Sequence, residues 1–142
     1  MVIFSDGEPN AITAVTNVLK RLGRDENPED NSNVFIIPHG KDFEEYIVTD
    51  DYLDVLVDVI VAEKATNVHH RDALKKEWLS KPNKLDAVKE ELVGSKTRYA
   101  RPVAEAIIGM EDESLRFPPL IRQLFEEISK ITGLSTKGFS KP

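Results

Sequence analysis

The chain opens on a short apolar run that leads directly into an acidic turn. Residues 2–4 are Val, Ile and Phe, and Asp6-Gly7-Glu8 follows after one serine. Apolar residues then recur at helical spacing, which predicts an amphipathic helix over residues 10–22. We expect Asn10 to cap this helix and Gly23 to end it. The apolar positions are Ala11, Ile12, Ala14, Val15, Val18, Leu19 and Leu22.

A polar loop separates this helix from a second apolar run. The loop, "RDENPEDNSN", is rich in Asp, Asn and Pro, which favour turns. Residues 34–37 form a continuous apolar run that Pro38 and Gly40 close. Such a run is typical of a strand that is buried on both faces of a parallel sheet. We therefore expect a right-handed βαβ unit with the first helix as its crossover.

The remaining pattern is helical. The predicted helical segments are "DFEEYIV", "DYLDVLVDVIVAEKA", "HRDALKKEWLS", "NKLDAVKEELVG", "RPVAEAIIGM" and "PPLIRQLFEEISKITG". The expected fold class is α/β, with a βαβ unit and short parallel sheet over residues 1–48. A mostly α-helical region over residues 49–134 is expected to pack on it, and residues 135–142 are expected to be a flexible tail.

The amino-acid composition excludes several classes of protein. The 142 residues include 19 basic and 25 acidic side chains, a net charge of −6, which argues against a simple nucleic-acid-coating protein. The absence of cysteine excludes disulfides and thiolate chemistry. No apolar run approaches the length of a membrane span, and no signal peptide is recognisable, so we expect no membrane partner and a cytoplasmic location.

The acidic turn is the first candidate site. Residues two apart in a strand point to the same side, so Asp6 and Glu8 can converge just past the carboxyl end of the first strand. In open parallel sheets, ligands bind at that edge. Carboxylates suit Mg²⁺ or Mn²⁺, although a catalytic site needs at least one more acidic ligand. The alternative is that Asp6 or Glu8 only caps the following helix.

The segments "VIFSDGEPNAI" and "VFIIPHGKDFEEYI", separated by a helix, resemble the second half of a TOPRIM domain, the metal-dependent module of topoisomerases, primases and several nucleases. Asp6 and Glu8 match the second motif of that module, usually Asp-x-Asp. The second acid here is Glu, which departs from the pattern. The resemblance implies a partial TOPRIM-like unit, with Asp6 and Glu8 as ligands for Mg²⁺ or Mn²⁺.

The downstream half resembles one branch of that superfamily. "GSKTRYARPVAEAI" and "LRFPPLIRQLFEEISKI" are similar to the C-terminal helical region of the overcoming lysogenisation defect (OLD) family of ATP-dependent nucleases. The likeness covers residues 2 to about 133. It implies DNA phosphodiester cleavage in which Lys96 is catalytic, because its charge would offset the charge developing on the scissile phosphate. Without the resemblance, Lys96 would be interpreted as a solvated lysine at a helix start.

Two features of these families are missing from the sequence. These are the earlier glutamate-bearing turn of TOPRIM and the G-x-x-x-x-G-K-[ST] loop of an ATPase. We therefore expect a split, truncated or fragmentary nuclease that is inactive alone and needs an upstream ATPase/TOPRIM chain to cut DNA. The alternatives are an interaction module without chemistry and a primase-like TOPRIM piece. Two strands leave open edges, so we also expect a homo-oligomer.

Several other residues could belong to a functional site, but we expect structural or incidental roles for them. We expect Asp42 to cap the helix that begins beside it and Trp78 to lie in the core. His69 and His70 are adjacent on a helix and point in different directions, which makes them a poor metal pair. His39 lies near the ligand edge of the second strand, where we interpret it as incidental.

Overall fold

The computed structural model describes residues 1–133 and shows two short strands among seven α-helices. The strands are β1 (Ile3–Ser5) and β2 (Val34–Ile36), and the helices are α1 (Pro9–Arg21), α2 (Phe43–Ile47), α3 (Asp50–Lys64), α4 (Val68–Ser80), α5 (Lys84–Gly94), α6 (Lys96–Ile108) and α7 (Pro119–Thr132). Three 3₁₀ turns occur at Pro28–Asp30, Pro38–Gly40 and Glu113–Leu115. The α/β class with a helical region is confirmed. The tail expected at residues 135–142 lies outside the described residues.

The two strands form a parallel sheet, as the sequence predicts. Phe4 is aligned with Phe35 in the register. The Ile3 N–H donates to the Asn33 carbonyl at 2.8 Å, and the Ser5 carbonyl accepts from the Ile37 N–H at 3.0 Å. Because backbone groups alternate along a strand, the N–H and C=O of Phe4 point to the opposite edge of β1.

The prediction that the second strand is buried on both faces is wrong. All three residues of β2 are half-buried, and Phe4 of β1 is 38% exposed. The deepest burial in this region belongs to residues outside the strands, such as Leu19 of α1 and Ile37 after β2, which are 0% and 1% exposed. A two-stranded sheet is too narrow to be enclosed by its crossover helix, so its apolar run is only partly covered.

Helix α1 starts one residue before the predicted start, and its cap lies two residues before the predicted cap. Glu8 occupies the cap position and Pro9 the first helical position, so Asn10 is not the cap. Proline favours this position because its fixed φ suits a helix and its missing N–H would have no helical partner there. Gly23 follows the helix with a φ of +74°, which agrees with its predicted role as the stop.

The described residues group into two compact units. One consists of Met1–Tyr46 together with residues 118–133, and the other is Ile47–Phe117. These bounds differ from the expected division at residues 48 and 49, because the last helix groups with the sheet. Within the first unit, the Leu120 N–H donates to the Tyr46 hydroxyl at 3.1 Å.

The second unit is built around α3. This helix packs against α4, α5 and α6. Its buried side chains cover most of its circumference: Tyr52, Leu53, Leu56, Val57, Val59, Ile60 and Val61. Trp78 of α4 is buried, which confirms its predicted place in the core. Across residues 1–133, no helix is long and apolar enough to cross a membrane.

We expect copies of this chain to associate in solution. Within the described residues, both outer edges of the sheet lack a neighbouring strand, and Phe4 is exposed at one of them. Size-exclusion chromatography with light scattering should give the mass of at least two chains, and Phe4→Glu should lower it. Val68→Glu, at a site 70% exposed on α4, is the matched control and should not. A single-chain mass at every concentration would contradict the expectation.

Candidate functional site

Two turns meet at the carboxyl edge of the small sheet. The acidic turn, residues 6–8, follows β1, and the turn of residues 38–41 follows β2. Because β1 and β2 are parallel, both turns leave the same edge of the sheet. This is the edge at which open parallel sheets bind ligands.

Gly7 fixes the two turns to each other. It is buried, and its N–H donates to the Lys41 carbonyl at 2.9 Å. A Cβ at this position would overlap the carbonyl oxygen of Ile37, so only glycine fits without a shift of the backbone. The backbone that carries Asp6 and Glu8 is therefore held against the end of the second strand.

The two carboxylates of the acidic turn are not used for helix capping or ion pairing. Glu8 stands at the cap position of α1 but makes no side-chain capping hydrogen bond. Asp6 is half-buried and Glu8 exposed, and neither is paired with a basic side chain among residues 1–133. The Glu8 side chain therefore does not cap α1. The carboxylates on both sides of Gly7 keep oxygen atoms that could bind a metal ion.

The carboxylates of the acidic turn are suitable ligands for a hard cation, but there are only two of them. Carboxylate oxygens are the ligands that Mg²⁺ and Mn²⁺ prefer. Within the described part of the chain, no group of three or more His, Cys, Asp or Glu side chains is arranged to hold a metal ion. Asp6 and Glu8 could therefore supply part of a coordination sphere.

Asp42 does not add to this pair, because it caps the next helix as predicted. Its carboxylate accepts from the Glu45 N–H at 2.8 Å, and Glu45 accepts from the Asp42 N–H at 3.3 Å. This reciprocal arrangement is a capping box. Asp42 is 5% exposed, in keeping with a structural role.

Lys96 is the first residue of α6 and belongs to the second unit. Its side chain is exposed, and the first turn of α6 contains no acidic residue. Two neighbouring residues anchor this end of the helix. Arg98 pairs with Glu63 of α3 through Nε and Oε2 at 3.2 Å, and it also donates to the Glu63 carbonyl at 3.2 Å.

Tyr99 is the second anchor and is almost fully buried. Its hydroxyl donates to Oε1 of Glu91 at 2.8 Å, and Lys64 contacts the same oxygen at 2.9 Å. Burial and the neighbouring carboxylate raise the pKa of Tyr99 to about 12. Burial raises the pKa of Glu91, but the bonds from Lys64 and Tyr99 outweigh it, so this pKa lies below its ordinary value.

The anchoring role of Tyr99 was missed by the sequence analysis, although a signal for it exists. Tyr99, Val103 and Ile107 are all buried on α6, and they recur every four residues. That spacing marks one face of a helix. Tyr99 could therefore have been predicted to lie in the core.

The three histidines have different surroundings. His69 and His70 are exposed near the start of α4, and Nδ1 of His70 accepts from the Thr66 N–H at 3.0 Å. His39 lies in the turn after β2 and has a φ of +61°.

Comparison with known proteins gives no neighbour: no protein-family model, no curated protein and no solved structure matches the chain. These comparisons neither support nor oppose the resemblance to TOPRIM domains and OLD nucleases.

We expect Mn²⁺ to bind the acidic turn at roughly millimolar affinity, because two carboxylates are an incomplete ligand set. Isothermal titration should detect this binding in the unmodified chain. Asp6→Ala should abolish it, and Gly7→Ala should weaken it by displacing the turn. Asp86→Ala, an exposed acid on α5, should leave it unchanged. Tight binding that survives Asp6→Ala would place the metal elsewhere.

We expect Tyr99→Phe to destabilise the protein by about 1–2 kcal/mol near pH 7, because it removes a buried hydrogen bond to a carboxylate. The raised pKa of Tyr99 favours its neutral form in the folded state. Its contribution is therefore complete below the ordinary pKa of 10.0 and is lost as the pH rises towards about 12. Melting curves from pH 8 to 12 should show a shallower alkaline decline in Tyr99→Phe. An alkaline decline in Tyr99→Phe as steep as that of the unmodified chain would contradict the expectation.

Proposed function

We propose that this chain is the C-terminal TOPRIM portion of an OLD-family nuclease and contributes to divalent-metal-dependent cleavage of DNA phosphodiester bonds. The observation that carries the proposal is the acidic turn. Asp6 and Glu8 lie directly after a strand of a parallel βαβ unit, on a backbone that Gly7 clamps against the second strand. A fixed pair of carboxylates at a ligand-binding edge is a suitable base for a metal site.

Asp6 and Glu8 would hold Mg²⁺ or Mn²⁺ in this proposal. When bound, such an ion activates water and polarises the phosphate. The protein itself supplies a turn whose backbone does not have to reorganise to present both carboxylates. A bound cation would let the two carboxylates approach each other, because it offsets the repulsion between like charges at close range.

Lys96 would act on the substrate. A cation at the first position of a helix lies at the positive end of the helix dipole, which opposes it. Arg98 and Tyr99 hold the start of the helix, and with it Lys96, in place. In the proposed reaction, the ammonium group would offset the negative charge that develops on the scissile phosphate.

The proposed site needs a further acidic ligand, because no group of three or more metal-ligating side chains is arranged to hold an ion among the described residues. We propose that a partner chain with an ATPase and the glutamate-bearing turn supplies it. The incomplete set of metal ligands is also the observation that favours a second candidate function. In that case the chain is an interaction module that binds such a partner without taking part in chemistry.

We expect no cleavage when the chain alone is incubated with supercoiled plasmid and Mg²⁺ or Mn²⁺. Where an adjacent reading frame encodes the ATPase and the acidic turn, adding its product should produce metal-dependent nicking. Asp6→Ala and Lys96→Ala should each abolish that nicking, and Lys84→Ala, at the first residue of α5, should preserve it. Gel electrophoresis of the plasmid forms gives the measurement.

Two results would contradict the proposal in different ways. In the first, the complex forms and nicks DNA, but neither Asp6→Ala nor Lys96→Ala reduces the nicking. This chain would then be only an interaction module. Nicking by the chain alone that both substitutions abolish would show that its own residues complete the site.

A further inference from the structure

Buried apolar side chains are unevenly distributed between the two compact units. Of the seventeen apolar or aromatic side chains that are buried among residues 1–133, fourteen belong to the unit Ile47–Phe117. The sheet-containing unit, Met1–Tyr46 with residues 118–133, has the other three: Val15, Leu19 and Ile37. Buried apolar surface is the main term that offsets the entropy lost when a chain is ordered. The sheet-containing unit therefore has the weaker core.

The strands and the first helix of the sheet-containing unit leave apolar surface uncovered. Every residue of β2 is half-buried, and Phe4 of β1 is exposed. Ala14 and Val18 of α1 and Leu22 at its C-cap are also exposed, and they recur every four residues, which places them on one face of the helix. A two-stranded sheet is marginal unless further strands or helices cover it. The unit thus has apolar surface that a second chain could bury.

The outer edge of β1 is the more open edge of the sheet. No hydrogen bond from elsewhere in residues 1–133 reaches the Phe4 N–H or C=O, which point away from β2. On the other edge, the Val34 N–H donates to the Asn31 carbonyl at 3.0 Å, so the loop before β2 occupies part of that edge. An unpaired strand edge is a template for pairing with another chain.

A second copy of the same edge would satisfy the free backbone groups of Phe4. If two chains pair antiparallel about a two-fold axis at Phe4, each Phe4 N–H faces the Phe4 carbonyl of the other copy. Residues 2–5 carry no charged side chain, so no like charges meet at the centre of the paired strands. The two phenyl rings then lie opposite each other, and aromatic cross-strand pairs stabilise a sheet. The outer edge of β1 is therefore complementary to itself.

We propose that the sheet-containing unit is stable only when a second copy of this chain pairs with the outer edge of β1, whereas the unit Ile47–Phe117 is stable in the single chain. Pairing joins the two small sheets into one sheet of four strands, a size at which sheets are commonly stable. The folding of one unit is thereby coupled to assembly, so its stability depends on the protein concentration.

Hydrogen exchange measured by mass spectrometry at a series of protein concentrations tests the proposal. While most chains are paired, mass action raises the fraction of free chains by about threefold for each tenfold dilution. The protection of amides in β1, β2 and α1 should fall by the same factor, and amides of α3 should stay protected throughout. Protection of the sheet-containing unit that does not change with concentration, whether it is high or low, would overturn the proposal.

Phe4→Pro tests the strand edge itself. Proline removes the N–H that points away from β2, and the hydrogen bonds of Ile3 and Ser5 to the other strand do not depend on that group. Light scattering should give the mass of a single chain. Amides of β1, β2 and α1 should exchange freely at concentrations that protect them in the unmodified chain. Amides of α3 should remain protected, which distinguishes the expected result from complete unfolding.

Leu22→Glu is the matched control, because it places a charge on exposed apolar surface of the same unit but away from the strand edge. It should associate like the unmodified chain and show the same dependence of protection on concentration. If Leu22→Glu abolishes association and Phe4→Pro does not, the second copy binds α1 instead of the strand edge, and the proposal is wrong.

Discussion

Gly7 lies so close to the end of the second strand that a methyl group in place of its hydrogen would overlap the Ile37 carbonyl oxygen. This close approach fixes the path of the chain between β1 and α1. It also determines where Asp6 and Glu8 stand, since they flank Gly7 on both sides. Without the contact, the backbone that carries Asp6 and Glu8 would not be held against the end of the second strand.

Much of the first unit could be predicted from local sequence. The two apolar runs, the helix between them and the acidic turn are all visible as short-range patterns, and the structure has them in that order. The depth of burial could not be predicted, because it depends on how many strands and helices surround the sheet. The grouping of α7 with the sheet also depends on distant contacts, such as that between Leu120 and Tyr46.

The stretch around Lys96 shows how a sequence motif can combine residues with different roles. Arg98 and Tyr99 bind Glu63 and Glu91, and these pairings fix the start of α6. Their partners lie 35 and 8 residues earlier in the chain, so the pairings have no local signature. Lys96 is exposed at the end that they fix. Substitutions at Arg98 or Tyr99 would therefore move Lys96 indirectly, through the position of the helix.

The division of the chain into two units has a consequence for the order of folding during synthesis. The unit Ile47–Phe117 is continuous in sequence, whereas the sheet-containing unit contains both Met1–Tyr46 and residues 118–133. On the ribosome, the continuous unit emerges whole while the other still lacks α7. Since helical units rich in local contacts fold quickly, the helical unit can fold first. The sheet-containing unit is then completed last, when α7 has been translated.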